Sequence, residues 1–315
     1  MKPICLNLQA CNGLGDLICA TPTIKKISES YDQKITVISP FPELFKNNPY
    51  VQSSYKASSV DMGYFDSNYL MHNSFYNVGK KNNLGIEYKH NRIDIRQFHA
   101  IHLGFMLAKS EMECFYRPTE DLKEHQIPKE KYVVIHPVTT WATRTWEAIN
   151  WMNLTARLNE MGLSVVSIGK DSSEKGFFNV EKPVFNFEIE KGINLMNKTS
   201  ISDCWHIISK AECFITMDSG LLHLAGTTDV NIIHLGSHLT PEFRIPYRNG
   251  SQDYKYAYIR GGCNLECGSN MKYGVKEWGN IQGVPPLIKC LENKPSFECH
   301  PTVDQVINKV SEYAA

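Results

Sequence analysis

The chain lacks long hydrophobic runs: nowhere does it reach the about 18 to 20 consecutive apolar residues that a membrane-spanning helix needs. It opens on the strand-like PICLNLQA, without the charged and apolar regions of a signal peptide, so the expected compartment is the cytoplasm. Neither sign of charge is in excess. Lys plus Arg and Asp plus Glu number 33 each, so the whole molecule lacks the basic excess expected of a nucleic-acid binder, and only a local basic patch stays open. No internal repeat or low-complexity segment occurs, which excludes solenoids and arrays. The dinucleotide fingerprint is also incomplete. Gly13-Leu14-Gly15-Asp16 lacks its third glycine and ends in an acid that would repel a pyrophosphate.

What is present reads as alternating strands and helices, enough chain for two α/β domains. Residues 4–9 predict a strand, 17–30 a helix and 34–39 a second strand. A strand near 69–72 and a helix over 92–108 follow, with a basic loop around Lys80 and Lys81 between them. A polar segment at 119–131 marks the boundary, giving domains 1–125 and 126–315. The second half restarts with the apolar 132–137, then a helix over 150–161, a strand at 164–168, a helix at 202–211, strands at 213–216 and 231–235, and a final helix at 303–313. Ser, Thr and Gly gather after the strand ends, where open α/β sheets bind ligands.

The stretch FITMDSGLLHLAG, residues 214–226, organises the second half. Its pattern is strand, tight turn with an N-cap at Asp218-Ser219-Gly220, then an apolar helix from Leu221. Free backbone N–H groups at such a helix start suit a phosphate, and small residues let it approach. An ordinary capped helix is the alternative.

Three blocks carry a family resemblance: GLGDLICATPTIKKI at 13–27, HPVTTWATRTWEAINWMNLTARL at 136–158, and NKTSISDCWHIISKAECFITMDSGLLHLAGTTDVNIIHLGS at 197–237. Their order and spacing resemble the ADP-heptose glycosyltransferases, apart from Val138, where members often carry glycine after His-Pro. The resemblance implies an α/β GT-B fold, two Rossmann-like domains with parallel sheets facing a central cleft. It implies inverting transfer of a heptose from ADP-heptose, or a close nucleotide sugar, to a glycan or protein hydroxyl. The acid of the first block falls on Asp16, the expected general base, although an Asp there could instead cap the helix. The basic residue between the tryptophans falls on Arg144. The phosphate turn falls on Asp218, Ser219, Gly220 and Leu221, with Thr139 and Thr140 as further donors and His223 as either a donor or a packing residue. Asp218 itself is expected to orient the turn or meet sugar hydroxyls. Members of this fold generally need no metal on the diphosphate, and no D-x-D in a glycine-rich loop is present, so no catalytic metal is expected. Two rivals stay open: transfer to modified nucleic-acid bases, and a nucleotide-sugar-binding protein without turnover.

Of ten cysteines, Cys5, Cys19, Cys204 and Cys213 sit in apolar contexts where a thiol packs as a small hydrophobe. Cys263, Cys267, Cys290 and Cys299 form a separate group within the Cys-rich segment 263–299. Their spacing is compatible with a structural zinc or iron site, looser than the usual paired C-x-x-C; free thiols or disulfides are the alternatives. A protein O-heptosyltransferase branch with cysteine-bound iron resembles this chain.

Overall fold

The computed structural model describes residues 4–9, 11, 13–59, 67–70, 93–123, 127–139, 144–170, 189–267, 290, 294 and 296–314. The chain divides into two compact units, Met1–Glu120 with Glu242–Tyr254, and Asp121–Pro241 with Lys255–Ala315. Lys80, Lys81 and Thr140 lie outside the described residues.

In the first unit, β1 (Ile4–Asn7), β2 (Ile35–Ile38), β3 (Val51–Tyr55) and β4 (Ser67–Leu70) form a parallel sheet in the order β3-β2-β1-β4. Every residue of β1 and β2 is buried, the polar Asn7 and Thr36 along with the apolar majority. The helical segment after β1 is two helices, α1 (Leu14–Cys19) and α2 (Thr21–Ser30), where the sequence predicts one. The break falls at Ala20, just ahead of Pro22, whose ring carries no N–H and is accommodated only in a first helical turn. α3 (Ile95–His102) is likewise shorter than its sequence pattern. Asp94 caps it by accepting from the Arg96 N–H at 2.8 Å, and Gly104 follows its end at φ +84°.

The buried Arg96 guanidinium donates back to Asp94, with Nε at 2.7 Å, and lies 4.7 Å from the centre of the Tyr247 ring. A paired cation under an aromatic face anchors the Glu242–Tyr254 segment to this unit.

In the second unit, β5 (Tyr132–His136), β6 (Ser164–Ser167), β7 (Gly192–Asn194), β8 (Cys213–Thr216), β9 (Asn231–Leu235) and β10 (Tyr256–Ile259) form a parallel sheet in the order β10-β9-β8-β5-β6-β7. Chain order reverses direction between β5 and β8, which makes the gap at their C-terminal ends a topological switch point. Helices α4 (Ala148–Glu160), α5 (Ile201–Ser209), α6 (Gly220–Ala225) and α7 (Val303–Ala314) complete the unit. Trp146, Trp151, Leu154 and Leu158 pack with Val306, Ile307 and Val310 of α7 over the central strands. The Trp146 indole N–H, fully buried, donates to the Pro301 carbonyl at 3.0 Å, so the tryptophan also fixes the end of the loop after β5.

Strands β3, β7 and β10, which the sequence pattern does not predict, all lie at sheet edges. An edge strand is only partly buried, so its apolar signal is weak: in β3 only Val51 is buried, and in β7 and β10 every residue is half-exposed. β7 enters through Gly192 at φ +149°, where a Cβ would stand 1.9 Å from the Val165 carbonyl oxygen. Only glycine fits that approach.

Candidate functional site

The two candidate centres belong to different units, and each is set by the loop after a central strand. In the first unit, that loop leads from β1 into α1, and Asp16 stands in the first turn. Gly13 is the N-cap and no side chain caps this helix, so Asp16 does not serve as the N-cap. A Cβ on Gly13 would lie 2.6 Å from Asp16 Oδ2; glycine leaves the carboxylate that space. The carboxylate is 19% exposed, and behind it stands the fully buried His99, with Nε2 at 3.9 Å from Asp16 Oδ1. Burial first, then the neighbouring His102 and Arg244, push the His99 imidazole down to about 3, so at neutral pH it is uncharged. His99 was not singled out by sequence reasoning. Its only signal is a histidine inside the buried run of α3, where packing is the ordinary explanation.

In the second unit, the switch point gathers the other candidates. His136 at the end of β5 pairs in register with Thr216 at the end of β8, and His136 Nδ1 lies 3.1 Å from Thr216 Oγ1. Thr216 Oγ1 is 3.1 Å from Ser219 Oγ, and Ser219 caps α6 by accepting from the Leu222 N–H at 3.3 Å. Asp218, 4% exposed at its side chain, accepts an ion pair from Arg144, with Nη1 3.4 Å from Oδ2. Arg144 is brought there by the loop after β5, where Thr139 Oγ1 lies 2.9 Å from Thr145 Oγ1. Gly220 starts α6, and Leu221 and His223 are buried in it. Arg144 and Asp218 thus pair beside the Ser219 cap at the C-terminal ends of β5 and β8. A guanidinium and the free N–H groups of a helical turn are groups of the kind that interact favourably with anions.

His136 is pushed down to about 4 by burial. In the unfolded chain both His99 and His136 titrate near pH 6.5. As pH falls below that value, the unfolded state takes up protons that the folded state refuses. Stability is complete above pH 6.5 and declines toward the folded values, by about 1.4 kcal/mol per pH unit for each histidine. Urea unfolding at pH 7 and pH 5 should show this loss, and equal midpoints would contradict it.

The cysteine group departs from expectation. None of the ten cysteines is joined in a disulfide. Burial pushes the Cys5 and Cys204 thiols up to about 11, in keeping with packed apolar roles. Backbone bonds from Gly261 to Cys299 and from Cys263 to Glu298 tie the two cysteine segments together. Burial, with Cys267 and Cys263 nearby, pushes the Cys299 thiol up to about 12. Even so, among the described residues no three His, Cys, Asp or Glu side chains are placed to hold a metal ion. The structural zinc or iron site expected at Cys263, Cys267, Cys290 and Cys299 is therefore not seen as a converged ligand set among these residues. A closed metal centre needs four converging ligands, and sequence spacing alone does not deliver the convergence.

With the site's geometry in place, known proteins give it a context. The profile of glycosyltransferase family 9 (heptosyltransferase) matches residues 93–256, more than half of the chain. The chain belongs to this family. No curated protein sequence matches it significantly. Among solved structures it resembles the iron-containing dodecameric glycosyltransferase TibC from enterotoxigenic E. coli, at 18% identity and TM-score 0.70 over 99% of this chain and 79% of TibC. The complex of TibC with ADP-D-beta-D-heptose gives 16% identity and TM-score 0.72 over 100% of this chain and 77% of that one. E. coli ADP-heptose lps heptosyltransferase II aligns over the whole of both chains at 15% identity and TM-score 0.61. The protein is a family 9 glycosyltransferase, with the α/β, parallel-sheet architecture of the GT-B class. Among the described residues, no helix is long and apolar enough to cross a membrane.

Proposed function

We propose that the protein transfers a heptose from ADP-heptose to a hydroxyl on a glycan or protein, inverting the anomeric centre. The observation that carries this reading is the Arg144–Asp218 pair at the β5/β8 switch point, in a chain of the heptosyltransferase family. In the reaction the acceptor oxygen attacks the anomeric carbon, and the bond from that carbon to the diphosphate oxygen breaks. The bonding pair leaves with ADP, whose charge rises as it departs. Arg144 answers that charge, together with the Ser219 hydroxyl and the N–H groups of Gly220 and Leu221. Thr139, in the loop after β5, adds a hydroxyl donor. Asp218 holds the guanidinium in place, since a carboxylate set directly against phosphate would repel it. Asp16 takes the proton that the acceptor hydroxyl gives up, and its exposed edge is what lets an acceptor reach it.

Thermal unfolding with ADP, GDP, UDP, CDP and dTDP tests the donor. A ligand at about 100 times its Kd adds about 2.7 kcal/mol to the stability of the state that binds it. ADP alone should raise the midpoint by several degrees. Stabilisation by another nucleotide would discard the heptose donor, and no response to any would remove the phosphate turn.

A further inference from the structure

The imidazole of His99 stands in the first centre without a part in the transfer reaction. It is fully buried, and neither ring nitrogen has a hydrogen-bond partner among the described residues. An unmade hydrogen bond on a buried polar group is costly, so a histidine kept in that state needs a reason. Asp16 Oδ1 stands 3.9 Å from Nε2, too far for a hydrogen bond and close enough for a directed dipole to matter. The geometry also separates the two roles. Asp16 has an exposed edge and His99 has none, so only the carboxylate can touch an acceptor.

We propose that His99 is the positioning residue for Asp16: a neutral imidazole protonated on Nε2 that directs its N–H dipole at the carboxylate from behind. This rests on Asp16 being the base. A carboxylate beside Nε2 selects that tautomer, because the alternative would turn a lone pair toward a negative charge. The imidazole does not act as a proton store, since the groups around it oppose a charge. His102 stands on the same helix and Arg244 comes from the Glu242–Tyr254 segment, and both disfavour the imidazolium alongside burial. On the loop side, Asp16 also faces the buried Cys11 thiol, which burial and then the carboxylate's charge keep protonated. With Nε2–H behind it, Asp16 is favoured in its ionised form at the moment the acceptor hydroxyl must lose its proton.

Two measurements on the full chain test this. The first uses nitrogen NMR of protein labelled with ¹⁵N-histidine at pH 7. His99 should be neutral with its proton on Nε2, and Asp16→Ala should reduce the share of that tautomer. The second follows ADP release from ADP-heptose against pH. His99→Phe should move the acid limb of the profile upward by about one pH unit, a loss of about tenfold on that limb, with the thermal shift by ADP unchanged. His99→Gln, whose amide N–H falls where Nε2–H stood, should restore the limb, whereas His99→Asn, which imitates Nδ1, should not. Thermal unfolding of each variant separates loss of fold from loss of positioning. An Nδ1–H tautomer in the wild type, or a His99→Gln profile equal to that of His99→Phe, overturns the proposal. If Asp16→Ala retained full turnover, the base reading would fall instead, while the tautomer measurement would still report whether the contact exists.

Discussion

Asp16→Asn should lower turnover by about 10²- to 10⁴-fold, the usual contribution of a positioned general base, while leaving the thermal shift by ADP as it is in the wild type. The amide has almost the shape of the carboxylate, so the space over Gly13 and the contact distance to His99 need not change. What is lost is the capacity to accept a proton. Because the substitution leaves the second unit untouched, donor binding and chemistry should come apart in the data: ADP response intact, transfer gone. Single-turnover measurement of ADP release with and without acceptor makes the distinction. Wild-type transfer by Asp16→Asn would remove Asp16 from the mechanism and leave the first centre without a base.

The second large effect concerns Arg144. Arg144→Met keeps much of the side chain's length and apolar stem but removes the guanidinium that faces Asp218 across 3.4 Å. The Asp218 carboxylate, almost fully buried, then loses that ion pair, and the fold should lose about 3 kcal/mol. ADP should no longer stabilise the protein, and turnover should fall by about 10²- to 10³-fold, because charge on the departing diphosphate goes unanswered. Adding Asp218→Asn removes the stranded charge. The double variant should therefore regain much of the lost stability without regaining either the ADP response or turnover. If stability and activity returned together, Arg144 would be a structural partner of Asp218 and nothing more. If ADP still stabilised Arg144→Met fully, the anion would have to lie elsewhere on the second unit.

Both predictions depend on pairings whose legibility differed. The turn at Asp218-Ser219-Gly220 could be read locally, because a short polar residue between an apolar strand and an apolar helix has few other roles, and Ser219 indeed caps α6. The second-unit strands β5, β6, β8 and β9 could be read for a related reason. Each is buried along almost its whole length, and a chain segment covered on both faces is apolar at its centre. Asp16 could be placed at the entry to the first helix, but whether it caps that helix depends on backbone geometry at Gly13, which the residue letters do not express. Family resemblance supplied roles for these residues that periodicity does not contain.

The sequence by itself determined the alternation of strands and helices, the buried central strands, the capped turn and the presence of an acid and a guanidinium in the right blocks. Tertiary structure alone decided the edge strands β3, β7 and β10, the break at Ala20 and the return of Glu242–Tyr254 to the first unit. It also decided which distant side chains meet: Arg144 with Asp218, His136 with Thr216 and His99 with Asp16. The physical reason is the same in each case. Burial along a segment is written in its own residues, whereas a meeting of two segments depends on strand order and on the course of the chain between them, and neighbouring residues carry no record of either.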